Sequence, residues 1–275
     1  MGDLGEKLHR FYSIFPWYDD PESEGGKRYF EATLASMGEL VRHPWLEEAV
    51  AKGTLKVLEV CGGAGFGGVA LAKVLAEKGT TVELTVTDLR REALDRARRW
   101  GTETLGHGVR TRVVDARRVH ELGEEYDLVL MYGLSTPHFD PWDLVRLLAS
   151  VGQALKDGGI FVVEESDRRY RIFLTLGYKW ALAETAEGKF TVSFHTGYDF
   201  HRGTIRRHYL DFSAPSAPVE MDTYMWGLAE VGAFVWAFFE EVDFLRLRNE
   251  RHFILGRKPR RAVSPEDLRP PGFLR

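Results

Sequence analysis

One stretch limits the architecture of this chain more than any other: Leu55-Lys56-Val57-Leu58-Glu59-Val60-Cys61-Gly62-Gly63-Ala64-Gly65-Phe66-Gly67-Gly68. A short apolar run ends in a carboxylate, a glycine-dense turn follows, and Val69-Ala70-Leu71-Ala72-Lys73-Val74-Leu75-Ala76 continues as strong helix formers. Strand, glycine turn and helix start together make a nucleotide-type cofactor site. Glycine permits positive φ and close backbone approach, and a helix N-terminus offers unpaired N–H groups. A bare tight turn is the competing reading, but glycines massed at a helix start destabilise it unless they serve a ligand.

The rest of the chain supplies the alternation that such a site needs. Leu55–Val60, Val82–Thr87, Arg110–Val114, Tyr126–Met131 and Ile160–Glu164 read as strands, and Gly67–Lys78 and Arg90–Trp100 as helices between them. A further helix starts at Asp140, an N-cap followed by Pro141 at the first helical position. Its buried face is Leu144, Leu147, Leu148, Val151 and Leu155, and Gly158 or Gly159 is expected to stop it. Repeated strand–helix alternation predicts an α/β fold, a Rossmann-like doubly wound sheet that is mostly parallel with an antiparallel last strand.

Both flanks of this core differ from it. Before Thr54 the chain is helical and aromatic-rich, with Phe11, Tyr12, Phe15, Trp17 and Tyr18 ahead of a break at residues 19–26 and a helix over Lys27–Val41. After Glu165, a helix is expected over Arg168–Ala186. Two period-two segments, Phe190–His195 and Thr204–Phe212, then predict a β-hairpin insertion. A helix over Asp222–Val231 stopped by Gly232, strands at Val235–Leu245 and His252–Arg257, and a loose surface tail from Pro259 complete the expectation.

The bulk numbers exclude several classes. At 275 residues the chain suits one large domain or one domain with an insertion. A net charge of −4 disfavours a dedicated nucleic-acid binder. A single cysteine, Cys61, forbids an internal disulfide or a cysteine-rich zinc site and fits a reducing compartment. No apolar run is long enough to span a bilayer, and Met1-Gly2-Asp3-Leu4-Gly5-Glu6-Lys7 has no signal-peptide core, so a cytoplasmic protein without a membrane partner is expected.

Gly63, Gly65 and Gly68 formally satisfy a dinucleotide fingerprint, with the acidic Asp88 ending the second strand. Four segments together resemble instead the class I S-adenosylmethionine-dependent methyltransferases. They are Glu59-Val60-Cys61-Gly62-Gly63-Ala64-Gly65, Val86-Thr87-Asp88, Val113-Val114-Asp115-Ala116, and Leu155-Lys156-Asp157-Gly158-Gly159-Ile160-Phe161-Val162-Val163. Cys61 departs from the family pattern, since a glycine is usual there. The resemblance implies S-adenosyl-L-methionine as cofactor, no metal, and three parts: an N-terminal helical segment or lid over 1–54, a methyltransferase domain over 55–258 with an insertion at about 166–220, and a tail over 259–275. It implies donor contacts from Glu59, Cys61, Gly62, Gly63, Gly65, Asp88 with Leu89, Asp115 with Ala116, and Tyr132. A carboxylate such as Asp88 accepts two hydrogen bonds from a ribose diol. Asp88 as a helix N-cap and Asp115 as a turn residue are the competing structural readings.

The acceptor side rests on Met131-Tyr132-Gly133-Leu134-Ser135-Thr136-Pro137-His138-Phe139. This is similar to the G-N-S-x-P-H segment of glycine/sarcosine-type small-molecule N-methyltransferases, with Leu134 in place of the usual asparagine. The resemblance implies a small-molecule acceptor, with nitrogen slightly preferred over oxygen and in-line displacement at the methyl group. His138 and Tyr132 are the candidate catalytic residues; a backbone-bonded loop histidine and a satisfied strand tyrosine are the alternatives. Tyr12 and Tyr18 in the aromatic segment, His138, Arg168 after the fifth strand, and His195 and Tyr198 in the insertion are the candidate substrate contacts.

The arginines at 90, 91, 96, 98 and 99 read as the solvated face of their helix. Arg202, Arg206, Arg207 and His208 make the insertion locally basic, which keeps an RNA or protein methyltransferase open as the alternative. A non-catalytic binding protein of the same fold, an aminopropyl transferase and an NAD enzyme are the remaining rivals. A homo-oligomer is compatible with the sequence.

Overall fold

A computed structural model describes residues 2–186, 188–214 and 217–274. Met1 and Arg275, the outer ends of the two flanking segments, lie outside the described residues. Three helices, α1 (Gly2–Ile14), α2 (Glu24–Leu40) and α3 (Pro44–Val50), precede the first strand. The alternating core then runs β1 (Thr54–Glu59), α4 (Phe66–Glu77), β2 (Thr81–Asp88), α5 (Arg91–Leu105), β3 (Arg110–Val113), β4 (Tyr126–Met131), α6 (Pro141–Ala154) and β5 (Leu155–Ser166). The insertion holds β6 (Ala181–Ala186), β7 (Lys189–Asp199), β8 (Thr204–Asp211) and β9 (Val219–Thr223). The chain closes with α7 (Leu228–Phe238), β10 (Phe239–Arg246) and β11 (Arg251–Pro259).

Seven strands form one sheet in the order β10-β11-β5-β4-β1-β2-β3. The pairs among β1 to β5 are parallel, and β11 runs antiparallel to both β5 and β10. Apolar side chains bury on both faces of this sheet, as parallel sheets require. Leu55, Val57, Leu84 and Val86 pack with α2 to α5 on one face. Leu58, Val129, Phe161 and Ile254 pack with α6 and α7 on the other. The order reverses at β1, which lies between β2 and β4, so the crevice of the sheet opens past the ends of those strands.

The Asp140 cap is formed as its sequence implies, with its carboxylate accepting the Asp143 N–H at 2.9 Å. Such a cap stabilises a helix by about 1 kcal/mol. Several expectations fail. Helix α6 ends at Ala154 and Leu155 opens β5, ahead of the glycines expected to stop the helix, and residues 235–238 close α7 where a strand is expected to begin. Residues 168–186 make only a single π-helical turn at Tyr170–Thr175 before β6, whose helix-favouring alanines pair antiparallel with β7. The expected hairpin is thus a four-stranded sheet, β6-β7-β8-β9. Asp222 lies within β9 instead of starting a helix, because Val219 and Met221 bury on one face beside β8. Gly232 lies inside α7, where a Cβ would come 2.4 Å from the Phe244 ring. Close packing on β10, not helix termination, is its role.

The tail is also not loose. Arg260 and Arg261 bond backbone carbonyls at Trp236, Phe239, Gly152 and Leu155. Farther on, Phe273 packs on Trp142 and His201, and Arg202 donates to the Leu274 carbonyl. No helix among the described residues is long and apolar enough to cross a membrane.

Candidate active site

The chain leaves β1 through three positive φ angles: 54° at Cys61, 53° at Gly63 and 80° at Gly65. Cys61 thus keeps the backbone conformation that favours glycine, at a cost of about 1–2 kcal/mol for a side chain. A Cβ on Gly62 would lie 2.6 Å from Val86, so this turn sits directly on β2. The Trp100 indole donates to the Ala64 carbonyl at 2.5 Å and pins the turn to α5. Gly65 faces Ala97 and Val86 and shapes the turn from behind, outside the cavity wall. Burial, then Asp88 and Asp115, push the Cys61 thiol up, so it stays protonated.

Three carboxylates surround the turn. Glu59 is buried, and its carboxyl lies over the Gly67 and Gly68 backbone, where a Cβ would meet it at 2.6 and 2.7 Å. Its Oε2 makes no well-aligned hydrogen bond among the described residues, although the Gly67 and Gly68 backbone lies beside the carboxyl. Burial pushes its pKa up to about 8, against the pull of the Gly68 and Gly67 amides. Asp88 accepts the Gly63 N–H at 2.8 Å and the Arg90 N–H at 2.9 Å. Asp115 caps the 3-10 turn that begins at Ala116 and accepts Arg117 Nε at 3.0 Å. Asp115 thus plays the turn part open to it in the sequence, with both oxygens accepting from Arg117, whereas Asp88 is not the cap of α5, a position Arg90 holds, and its Oδ2 keeps a lone pair for a further donor.

Arg90 corrects the expected solvated helix face. It is 6% exposed, and its Nη1 lies 3.2 Å from both Asp19 oxygens. Arg96 also turns inward, donating to the Asp19 carbonyl and carboxylate. Neither Asp19 nor Arg90 was legible as a site residue; the one available signal was Arg90's place two residues past Asp88.

The loop after β4 carries the other end of the site. Gly133 and Leu134 have φ of 89° and 59°. Glu164 holds the Gly133 N–H at 3.0 Å, and Arg168 donates to the Leu134 carbonyl at 3.1 Å while facing Glu165. Arg168 is thus a brace behind the loop and not a substrate clamp. His138 Nε2 lies 2.8 Å from the Tyr12 hydroxyl, and its buried Nδ1 has no partner among the described residues. Burial, then Arg90 and Arg168, hold its pKa down to about 4, so the ring is neutral. Tyr132 presents its ring to the cavity but spends its hydroxyl on Thr33, 3.3 Å away.

These elements enclose a cavity of about 850 Å³. Its floor includes Glu59, Cys61, Gly62, Gly63, Asp88 and Leu89, and Asp115 and Ala116 lie at one end. Tyr12, Trp17, Tyr18 and Tyr29 roof it from the N-terminal segment, Tyr18 stacking on Tyr29 with ring centres 5.5 Å apart. Helix α1 comes so close that a Cβ on Gly5 would lie 3.0 Å from the Leu89 carbonyl. Met221 and Asp222 of β9 and Asp267–Pro271 and Leu274 of the tail complete the wall. His195 and Tyr198 do not reach it. His195 bonds Tyr178 at 2.6 Å and packs on Trp180, and Tyr198 packs on Phe200. The bulge between His195 and Gly197 lies in that part of β7.

The cavity suits the nucleoside donor that the four motifs imply. Buried polar atoms that make no well-aligned hydrogen bond among the described residues, Glu59 Oε2, Tyr29 Oη and His138 Nδ1, belong to residues that line it, and its glycine floor leaves no room for a Cβ. Its volume lies within the usual range for small-molecule sites.

Comparison with known proteins agrees. Residues 57–159 match a family model described as a methyltransferase domain. No curated protein sequence matches the chain. Among solved structures, the PH0226 protein from Pyrococcus horikoshii OT3 superposes with a TM-score of 0.63 at 19% identity, covering 91% of this chain and 99% of that one. SAM-bound CalS10, an amino pentose methyltransferase from Micromonospora echinaspora, gives 0.55 at 20% identity, covering 82% and 89%. The sugar N-methyltransferase KedS8 from Streptoalloteichus sp. ATCC 53650 gives 0.54 at 18% identity, covering 84% and 88%. The matches carry the fold and the domain; nothing in them carries the narrower glycine/sarcosine likeness.

Proposed function

We propose that this chain is an S-adenosylmethionine-dependent methyltransferase whose acceptor is a small molecule, with nitrogen as the methylated atom. Glu59, Gly62, Gly63, Asp88 and Asp115 would hold the donor. When bound, S-adenosylmethionine supplies a methyl group on a positively charged sulfur, which an acceptor takes by in-line displacement. Alignment and exclusion of water are then the main tasks of the chain.

The observation that carries the reading is the make-up of the wall. Residues of α1, β9 and the tail line the cavity beside the donor turn, which gives it the size of a small-molecule site. The basic residues expected to mark the insertion are also paired or buried. Arg202 pairs with Asp140, Arg206 with Asp222 at 2.9 Å, and His208 with Glu220 at 2.8 Å. Arg207 is buried on Ser193. This pairing weighs against the RNA alternative.

Acid–base character favours nitrogen. A hydroxyl acceptor needs a base at attack, whereas a neutral amine brings its own lone pair. His138, with a pKa held to about 4, is a weak base, and burial pushes the Tyr12 hydroxyl up, away from the phenolate. His138 and Tyr12 instead orient the acceptor amine. Two of the solved relatives carry amino sugar and sugar N-methyltransferase names, in keeping with this class.

The test incubates the purified protein with donor and matched panels of small amines, small alcohols and RNA, with mass spectrometry of products. Methylated amine together with S-adenosylhomocysteine is expected. Turnover confined to the alcohol or RNA panel would overturn the reading.

A further inference from the structure

We propose that Arg90 takes the carboxylate of the bound donor, and that Asp19 stands in for that carboxylate until the donor arrives. This rests on the S-adenosylmethionine reading above.

The guanidinium of Arg90 lies on the glycine turn itself: a Cβ on Gly63 would come 2.7 Å from Nη2. The side chain is 94% buried, and Nη2 donates to no described residue, while Nε faces Asp88 at 3.3 Å and Nη1 faces Asp19. The Tyr12 ring backs the guanidinium at 4.1 Å and fixes its plane. A buried fork with an idle N–H pair on a ligand turn is shaped for a planar anion. S-adenosylmethionine has one anionic group, its carboxylate. Its sulfonium and ammonium are cationic, so an arginine beside them is repelled unless an anion accompanies it.

Asp19 has somewhere to go. Its Oδ2 already lies 3.1 Å from Arg96 Nη1, and Arg96 also holds its backbone carbonyl at 2.6 Å. A second cavity of about 330 Å³ lies on that side, lined by Arg96, Lys189, His9 and Ser13. Asp19 therefore keeps a cation partner when Arg90 turns to the donor. The exchange swaps one carboxylate for another and leaves no buried charge unpaired. It also makes donor loading and the seating of the Trp17–Asp20 segment compete for the same guanidinium.

Calorimetry on the full chain tests this with S-adenosylhomocysteine and its decarboxylated analogue, 5′-deoxy-5′-(3-aminopropylthio)adenosine. Arg90→Met is expected to weaken the first by about 30-fold and the second by less than about threefold, the range of a charge-assisted bond. Asp19→Asn, which leaves Arg90 in place, is expected to tighten S-adenosylhomocysteine by roughly threefold or more and to leave the analogue unchanged. Equal weakening of both ligands by Arg90→Met makes Arg90 a structural residue and overturns the assignment. An unchanged affinity in Asp19→Asn overturns the stand-in role, and this variant decides the matter if Arg90→Met does not fold. Failure of the unaltered protein to bind S-adenosylhomocysteine at all would instead remove the donor reading beneath both.

Discussion

The Tyr12 hydroxyl and His138 Nε2 lie 2.8 Å apart across 126 residues of sequence. One belongs to the first helix and the other to the loop that follows β4. Their bond, with the Arg90 guanidinium stacked on the same tyrosine, joins the roof of the cavity to its reacting end. Roof, donor floor and acceptor loop are therefore one connected polar network, and changes in one are expected in the others.

Two buried groups give opposite pH signatures. His138 is held at about 4 from an ordinary value of 6.5, so its share of stability is present above 6.5 and lost as pH falls toward 4. Glu59 is raised from 4.5 to about 8, so its share is full below 4.5 and lost as pH rises to 8. Melting temperature against pH should show a flatter acid limb in His138→Gln and a flatter alkaline limb in Glu59→Gln. An unaltered slope in either variant would show that the group is not buried as described.

Asp88→Ala should abolish measurable donor binding and also lower stability, by about 1–3 kcal/mol, because the Gly63 and Arg90 amides lose their acceptor. Asp88→Asn keeps the side-chain shape and separates the two effects. Calorimetry beside a urea melt reads them out; donor affinity within twofold of the unaltered protein in both variants would remove Asp88 from the site.

Cys61 sits at φ 54° without being glycine. Cys61→Gly should therefore be neutral to stabilising, by up to about 1 kcal/mol, while the β-branched Cys61→Val should destabilise by roughly 1–2 kcal/mol. Chemical denaturation of the pair checks the order, and a more stable valine variant would contradict the left-handed turn.

A chain ending at Val263 should keep its melting transition but release S-adenosylhomocysteine faster, since Asp267–Pro271 and Leu274 wall the cavity. Stopped-flow displacement measures this. His195→Ala and Tyr198→Ala, which lie off the cavity, should leave the release rate unchanged.

The sheet was legible because its strands are short apolar runs between capped helices, and the glycine turn because only glycine-like backbone can build it. Asp140 and Pro141 marked α6 for the same local reason. What could not be read was set by distant contacts. Ala181–Ala186 favours helix locally and becomes a strand only because β7 lies beside it. Gly232 resembles a stop signal until Phe244 is seen packed on it. Arg90 follows the pattern of an exposed helix face, but Asp19, far off in sequence, draws it inside. His195 and Tyr198 were placed near the site by the assumption that the insertion folds over it. The structure covers the site with β9 and the tail instead.

Leu4 near one end of the sequence and Leu274 near the other both border the cavity. The glycine turn by itself therefore makes only the floor, and the rest of the wall is borrowed from segments far apart in the sequence, so proteolytic trimming of either flank would thin that wall while leaving the sheet intact.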